Sequence, residues 1–257
     1  MEHDANCPRC GAQTLPEYKF CLKCGNPLQA AGASPTQVGG MGAKAKARLI
    51  LVKGEGGDTA SYTLGGKEHI CGRTQGIVLF PDDETVSPVH AVFFYRDGDL
   101  YVQDKNSLNG TYVRIRDEIE MTDGDTFIVG EQVLVYGEGI GKAPAERDKA
   151  GTLFLCSPCL DDYFSLTQLL AGGKPGQSIK ARKPQLAIGR EQADLSFPDD
   201  RFMSHRHAMV EKRTGKAFLR DSQSRNGTFF KLRAGTEYHL SDGDFVFIGR
   251  QLLKVAF

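Results

Sequence analysis

A polar signature occurs twice in this chain, and its two copies lie 117 residues apart. Each copy contains Gly-Arg, then Ser-x-x-His, then Ser-x-Asn-Gly-Thr, with the same spacing between the elements. The copies comprise Gly72-Arg73, Ser87 to His90 and Ser107 to Thr111, then Gly189-Arg190, Ser204 to His207 and Ser224 to Thr228. Repetition of this length predicts two copies of one domain. Because the repeated residues are polar or glycine, they indicate a site or fixed loops.

Short runs of alternating or β-branched apolar residues recur between glycine-rich turns. Examples are Leu49 to Val52, Ala91 to Tyr95 and Phe127 to Val129. This pattern predicts an all-β chain built from two tandem β-sandwiches. In the second copy, we expect the first strand at Leu153 to Leu155 and one helical turn within Ser165 to Leu170.

The repeated signature resembles the forkhead-associated (FHA) domain, a reader of phosphothreonine peptides. The resemblance implies that Gly-Arg, Ser-x-x-His and Ser-x-Asn-Gly-Thr lie on three loops at one end of each sandwich. A guanidinium, a hydroxyl, a carboxamide and backbone amides at one point suit a phosphate dianion. In the second copy, the residues that the resemblance assigns to phosphopeptide binding are Arg190, Ser204, His205, Arg225 and Asn226.

The first copy keeps only part of this set. The resemblance implies a weaker site at Arg73, Ser87 and Asn109, because Pro88 and Leu108 replace possible donors. The alternative is that its signature only stabilises loops, since Asn-Gly between strands is a common hairpin turn. In both copies, the residues expected to support the loops without touching phosphate are His90, His207, Thr111 and Thr228.

The two copies carry opposite charge. Residues 47–137 hold 8 Lys+Arg and 15 Asp+Glu, a balance of −7, whereas residues 151–257 hold 16 and 11, a balance of +5. The field of the second copy should therefore attract an anionic ligand. An alternative, compatible with the first, is that opposite charges help the copies dock or stay soluble.

Two Cys-x2-Cys pairs lie near the N-terminus, Cys7 with Cys10 and Cys21 with Cys24. Four thiolates suit one tetrahedral Zn2+ ion, and the segment resembles a short zinc ribbon. Disulfide pairing is the alternative, which a cytosolic location argues against. Because thiolates fill all four positions, we expect a structural ion whose binding is coupled to folding. The ribbon has equal numbers of basic and acidic residues, which favours contact with protein over nucleic acid.

The expected organisation is a zinc ribbon at 1–28, a flexible linker at 29–46, the first FHA domain at 47–137, a linker at 138–150 and the second FHA domain at 151–257. No apolar stretch approaches the ~18 residues of a membrane span, and no secretory signal is visible. We therefore expect a cytoplasmic protein and not a membrane protein, and the resemblance implies a phosphothreonine-peptide-binding adaptor, not an enzyme. Its expected partners are a phosphothreonine-containing protein, a Ser/Thr kinase, and other proteins through the ribbon or first FHA domain. The alternatives are a phosphate-independent scaffold and nucleic-acid binding through the ribbon.

Overall fold

A computed structural model of the protein describes residues 5–6, 13–14, 46–52, 60–139, 146–153, 155 and 162–257. The chain forms two compact units, Met1–Ala43 and Lys44–Phe257. In the first unit, β1 (Ala5–Asn6) pairs antiparallel with β2 (Gln13–Thr14). The predicted zinc ligands Cys7, Cys10, Cys21 and Cys24 lie outside the described residues.

The second unit is built from β-strands, which confirms the predicted all-β class. The strands of the first copy are β3 (Arg48–Leu51), β4 (Ser61–Thr63), β5 (Glu68–Gly72), β6 (Val78–Leu79), β7 (Ala91–Arg96), β8 (Asp99–Asp104), β9 (Thr111–Arg114), β10 (Ile119–Met121), β11 (Thr126–Val129) and β12 (Gln132–Glu138). Those of the second are β13 (Phe164–Leu169), β14 (Pro175–Ala181), β15 (Gln185–Gly189), β16 (Leu195–Ser196), β17 (Ala208–Arg213), β18 (Lys216–Asp221), β19 (Thr228–Lys231), β20 (Glu237–Leu240), β21 (Phe245–Ile248) and β22 (Gln251–Ala256). Among the described residues, no helix is long and apolar enough to cross a membrane.

The start of the second copy differs from the sequence-based expectation. Leu153 makes only an isolated bridge to Arg147, and Leu155 is fully exposed, so neither residue lies in a strand, while Phe154 lies outside the described residues. The helical turn expected within Ser165 to Leu170 is also wrong, because Ser165 to Leu169 lie in β13, and a short 3-10 turn follows at Ala171–Gly173. Phe164 and Leu166 are buried while the residues between and after them are partly exposed, which is the alternation of a strand. Pairing with β12 and β14 on its two sides then fixes the segment as sheet.

Three large sheets make up the second unit. One has ten strands in the order β14-β13-β12-β11-β19-β9-β21-β22-β3-β4. The other two have five strands each, in the orders β20-β8-β7-β5-β6 and β10-β18-β17-β15-β16. Each five-stranded sheet packs on one half of the ten-stranded sheet, so that two apolar cores form.

The two copies exchange their C-terminal segments. β10 of the first copy pairs with β18 of the second, and β20 of the second pairs with β8 of the first. Likewise β12 pairs with β13, and β22 pairs with β3. One core, here called the first sandwich, combines residues 47–113 with residues 232–255. The other, the second sandwich, combines residues 115–136 with residues 164–230.

The chain changes sandwich at β9 and again at β19. Val113 is buried in the first sandwich, but Ile115 is buried in the second. Phe230 is buried in the second, but Leu232 is buried in the first. The predicted ranges 47–137 and 151–257 place each copy in its own sandwich, whereas the observed pairing crosses between them. The apolar pattern of a strand specifies which face is buried, and two copies with the same pattern offer equivalent partners.

Two reciprocal ion pairs tie the crossing segments to the exchanged strands. Arg116 of the first copy donates to Asp244 of the second, and Arg233 of the second donates to Asp125 of the first. The Nε and Nη2 atoms of Arg233 lie 3.1 and 2.6 Å from the two carboxylate oxygens of Asp125. Burial alone would raise the pKa of Asp125, but hydrogen bonds from Arg233 and Thr122 outweigh it and hold that pKa below its ordinary value.

The stabilisation provided by Asp125 should disappear in acid. Because its folded pKa lies below the unfolded value of about 3.9, the contribution is complete above that value and is lost as the pH falls through the folded pKa. Chemical unfolding measured from neutral pH into this acidic range should show the loss, and Arg233→Gln should weaken the pH dependence. Arg48→Gln, which changes an exposed arginine in β3, is the control. An acid profile of Arg233→Gln identical to that of the parent would contradict this assignment.

Candidate functional site

Three loops of the second copy meet at one end of its sandwich. The amide of Arg190, which follows β15, donates to the carbonyl of Ser204 at 2.9 Å. The amide of Arg225 donates to Ser204 Oγ at 3.0 Å, and Asn226 Nδ2 donates to the carbonyl of Phe202 at 2.8 Å. Arg190 Nη2 lies 3.2 Å from His205 Nε2. The structure therefore brings together all five residues that the sequence singled out in this copy.

The first copy repeats this frame. The amide of Arg73 donates to the carbonyl of Ser87 at 2.9 Å, and the amide of Leu108 donates to Ser87 Oγ at 3.1 Å. Asn109 Nδ2 donates to the carbonyl of Thr85 at 2.7 Å. In both copies the serine oxygen accepts a backbone bond, so its hydroxyl proton can be donated to a ligand.

Glycines allow the loops to approach so closely. A Cβ atom at Gly189 would collide with the carbonyl oxygen of His205, and one at Gly72 would collide with that of Pro88. Gly227 has a φ of 84°, in the left-handed region that favours glycine. The Gly-Arg and Asn-Gly elements thus recur because the backbone requires glycine at these points.

A buried histidine joins two of the loops in each copy. His207 Nδ1 accepts from the amide of Ser204 at 3.2 Å, and its Nε2 lies 3.0 Å from the carbonyl of Gly227, to which it can donate. His90 contacts the amide of Ser87 at 3.0 Å and the carbonyl of Gly110 at 3.1 Å. Burial lowers the pKa of His207 below its ordinary value, which favours the neutral ring that this pair of bonds requires.

A half-buried carboxylate holds each Asn-Gly turn, and the sequence reasoning missed it. Asp221 accepts from Ser224 Oγ at 2.6 Å and from Thr228 Oγ1 at 2.8 Å. Asp104 accepts from Thr111 Oγ1 at 2.8 Å in the first copy. Burial would raise the pKa of Asp221, but the bonds from Ser224 and Thr228 outweigh it and lower that pKa. The available signal was an aspartate three residues before the serine in both copies.

The two signature arginines use their guanidinium groups differently. Arg73 Nε donates to the carbonyl of Val86 at 3.2 Å. Arg190 Nε is buried, yet it has no hydrogen-bond partner among the described residues. The second copy therefore retains an unused donor at its site, whereas the first has committed the equivalent donor to its own backbone.

The surroundings of the two sites also differ in charge. The second site has the exposed side chains of Arg225 and His205, together with Glu191, which the sequence reasoning did not select. A Glu191 carboxylate oxygen lies 3.7 Å from Arg190 Nε, and the other lies 3.9 Å from His205 Nδ1. In the first copy, Leu108 occupies the place of Arg225 and is 86% exposed.

Comparison with known families agrees with this geometry. The FHA domain model matches residues 66–130 and 186–249, and the zinc-ribbon domain model matches residues 6–28. These two ranges of the FHA match contain both sets of loops described above.

Named relatives share part of the chain. The oxoglutarate dehydrogenase inhibitor of Corynebacterium glutamicum is 35% identical over 117 residues, which are 45% of this chain and 79% of that protein. The glycogen accumulation regulator GarA of Mycolicibacterium smegmatis is 34% identical over 119 residues, which are 44% of this chain and 75% of that protein. A solved structure from work on phosphothreonine-dependent FHA domain interactions is 32% identical, covers 36% of this chain and 96% of its own, and has a TM-score of 0.23. This chain belongs to the FHA domain family and carries two copies of the domain behind an N-terminal zinc ribbon.

Proposed function

We propose that this protein is a phosphothreonine-peptide-binding adaptor in Ser/Thr kinase signalling, and that its second copy is the main reader. The observation that carries this proposal is the buried Nε of Arg190, which has no acceptor among the described residues. Rotation of the Arg190 side chain would let a phosphate oxygen satisfy this donor in a charge-assisted hydrogen bond. Ser204 Oγ, the Asn226 carboxamide and the exposed Arg225 side chain lie on the adjoining loops and offer further donors.

The family and the relatives support this reading. FHA domains read phosphothreonine peptides, and the C. glutamicum and M. smegmatis relatives are named as an inhibitor and a regulator. A binding protein that acts on other proteins fits these names better than a catalyst. The partners that follow are a phosphothreonine-containing protein and the Ser/Thr kinase that phosphorylates it, with no role for nucleic acid or membrane.

The first copy is proposed to bind protein with little dependence on phosphate. Its Arg73 already donates to Val86, and Pro88 offers no amide hydrogen. The exposed Leu108 replaces a basic side chain with an apolar one beside Ser87 and Asn109. These features favour contact with an apolar protein surface over capture of a dianion.

The N-terminal segment is proposed to hold one structural Zn2+ ion through Cys7, Cys10, Cys21 and Cys24. Four thiolates are a suitable donor set for zinc, and the zinc-ribbon model covers all four. The paired strands β1 and β2 lie on either side of residues 7–12, which contain the first two cysteines. The ribbon would then offer a further surface for contact with other proteins.

Loss of Arg190 should abolish most phosphopeptide binding. Arg190→Ala should cost about 2–5 kcal/mol of affinity, because it removes the partner of a phosphate charge. The measurement is calorimetric titration of the full chain with a degenerate phosphothreonine peptide pool, with the unphosphorylated pool alongside. Arg73→Ala is the matched control and should leave the main binding event unchanged. A larger loss in Arg73→Ala would assign reading to the first copy, and binding of neither pool by the folded parent would overturn the function.

His207→Ala should act on stability instead. It leaves the amide of Ser204 and the carbonyl of Gly227 without their partner, at a cost of about 1–3 kcal/mol per buried group. Thermal unfolding should show a lower midpoint, while Arg190→Ala should unfold close to the parental midpoint. A parental midpoint in His207→Ala would mean that the histidine does not support the loops.

Removal of the Glu191 charge should tighten phosphopeptide binding. Its carboxylate lies near Arg190 and His205, where it competes with phosphate for the same positive charge. Glu191→Gln should raise affinity by about twofold to fivefold at low salt, the range expected for one exposed ion pair. Glu237→Gln, which removes a carboxylate paired with Arg96 in the first sandwich, is the control. Equal affinities in the two variants would show that Glu191 does not compete.

A further inference from the structure

Asp200 connects an exchanged turn to the second site. Its Oδ2 accepts from the amide of Glu131 at 2.8 Å and from Gln132 Nε2 at 2.8 Å. Its Oδ1 accepts from the amides of Phe202 at 2.9 Å and Met203 at 3.1 Å. Glu131 and Gln132 belong to the first copy, whereas Asp200 belongs to the second. One carboxylate, 3% exposed, therefore holds a turn of one copy against a loop of the other.

That loop belongs to the proposed phosphopeptide site. The carbonyl of Phe202 accepts from Asn226 Nδ2 at 2.8 Å, and Ser204 follows two residues later. A continuous series of contacts thus runs from Gln132 through Asp200 and Phe202 to the carboxamide of Asn226. None of these links uses the C-terminal segment of the second copy itself.

The first site repeats the arrangement in the opposite sense. Asp83 Oδ2 accepts from the amide of Arg250 at 2.9 Å and from Gln251 Nε2 at 2.7 Å. Asp83 Oδ1 accepts from the amide of Thr85 at 3.0 Å, and the carbonyl of Thr85 accepts from Asn109 Nδ2 at 2.7 Å. Here the turn comes from the second copy and the site from the first.

A second contact crosses between the copies at each Asn-Gly turn. The side chain of Arg114 occupies the space where Gly227 lacks a Cβ atom, and that of Lys231 occupies the equivalent space beside Gly110. Arg114 lies at the end of β9 and Lys231 at the end of β19, the two points where the chain changes sandwich. Gly110 and Gly227 are therefore each packed against a basic residue of the other copy.

Charge favours this exchanged pairing over an unexchanged one. Residues 114–138 hold 2 Lys+Arg and 7 Asp+Glu, a balance of −5, and they pack on residues 162–231, which hold 13 and 7, a balance of +6. Glu120 pairs with Lys216 at 2.8 Å, and Glu138 pairs with Lys212 at 2.6 Å. The positions equivalent to Lys216 and Lys212 in the first copy are Asp99 and Tyr95, neither of which offers a cation.

We propose that Gln132 and Arg114 of the first copy are positioning residues for the second phosphopeptide site, and that Gln251 and Lys231 of the second copy position the first. This inference rests on the proposed function of the second copy. It assigns the shape of each site to contacts supplied by the other repeat. A substitution in one copy then changes ligand binding in its neighbour.

The test is a crossed pair of matched variants in the full chain. Gln132→Glu keeps the side-chain shape but places a carboxylate against Asp200, and Gln251→Glu does the same against Asp83. Gln132→Glu should raise the Kd of the phosphothreonine peptide pool about tenfold, whereas Gln251→Glu should leave it unchanged. Both variants are titrated well below their thermal midpoints. Each variant loses an equivalent hydrogen bond, so the two should lose similar amounts of stability. If their affinities for the peptide pool nevertheless differ, the effect on binding comes from positioning and not from destabilisation.

The reverse pattern overturns the proposal. A larger effect of Gln251→Glu on the second site would mean that each copy supports itself, and an unchanged Kd in both variants would mean that the turns do not position the site. If Gln132→Glu does not fold, Arg114→Met serves as the second variant. It fills the space beside Gly227 without charge, and its matched control is Lys231→Met.

A second experiment tests the exchange without any ligand. Cleavage at a protease site inserted between Lys149 and Gly151, in an exposed turn, divides the chain between the two copies. The two fragments should remain together in gel filtration, because each contributes to both cores. Separation of the fragments would overturn the exchange and the positioning roles. Fragments that stay together in a chain that binds no phosphopeptide would instead overturn the proposed function and the positioning of a ligand site, while the exchange stands.

Discussion

The antiparallel pairing of β9 with β19 is the contact on which both sandwiches depend. Beyond the strand ends, the amide of Ile115 donates to the carbonyl of Thr228 at 2.9 Å, and the amide of Leu232 donates to that of Thr111 at 2.8 Å. These bonds hold the two crossing segments side by side as each passes into the opposite core. Because the strands run in opposite directions, the turn before β9 and the turn before β19 lie at opposite ends of the pair. The two candidate sites therefore lie at opposite ends of the β9–β19 pair, which connects them.

The sequence predicted many of the β-strands well, but it did not predict which strands pair with each other. Strands such as Ala91–Arg96 and Phe245–Ile248 follow from apolar patterns, and Gly110 and Gly227 mark turns that need a left-handed residue. The exchange of C-terminal segments could not be predicted from the sequence, because the strands of both copies have the same apolar pattern and fit either partner. The charges of the two copies do reflect the exchange, since Glu120 of the first copy pairs with Lys216 of the second. Such an ion pair can be recognised in the sequence only once the strand register is known. The sequence boundaries of the two copies and the role of the linkers remain predictions.

For the candidate sites, the sequence motif identified the residues, but only the three-dimensional structure shows their contacts. The sequence identified Arg190 and Arg73 by the same Gly-Arg pair, and nothing in that pair distinguishes them. Their difference arises because the carbonyl of Val86 accepts from Arg73 Nε, while Arg190 Nε lacks a hydrogen-bond partner among the described residues. Asp200 and its counterpart Asp83 each end a Phe-Pro-Asp-Asp sequence that occurs in both copies, but the partner Gln132 is remote in sequence from Asp200. Contacts of that range are not visible as local patterns.

The exchange also reverses the order in which the two sandwiches can be completed during synthesis. Every segment of the second sandwich has been synthesised once the chain reaches Lys231, since its core draws on residues 115–136 and 164–230. The first sandwich begins with β3 but needs β22 as the neighbour of that strand. The copy that is translated first must therefore wait, with an open sheet edge, for the last strand of the second copy. Such an edge invites pairing with other chains, so rapid closure by β22 protects the nascent protein from aggregation.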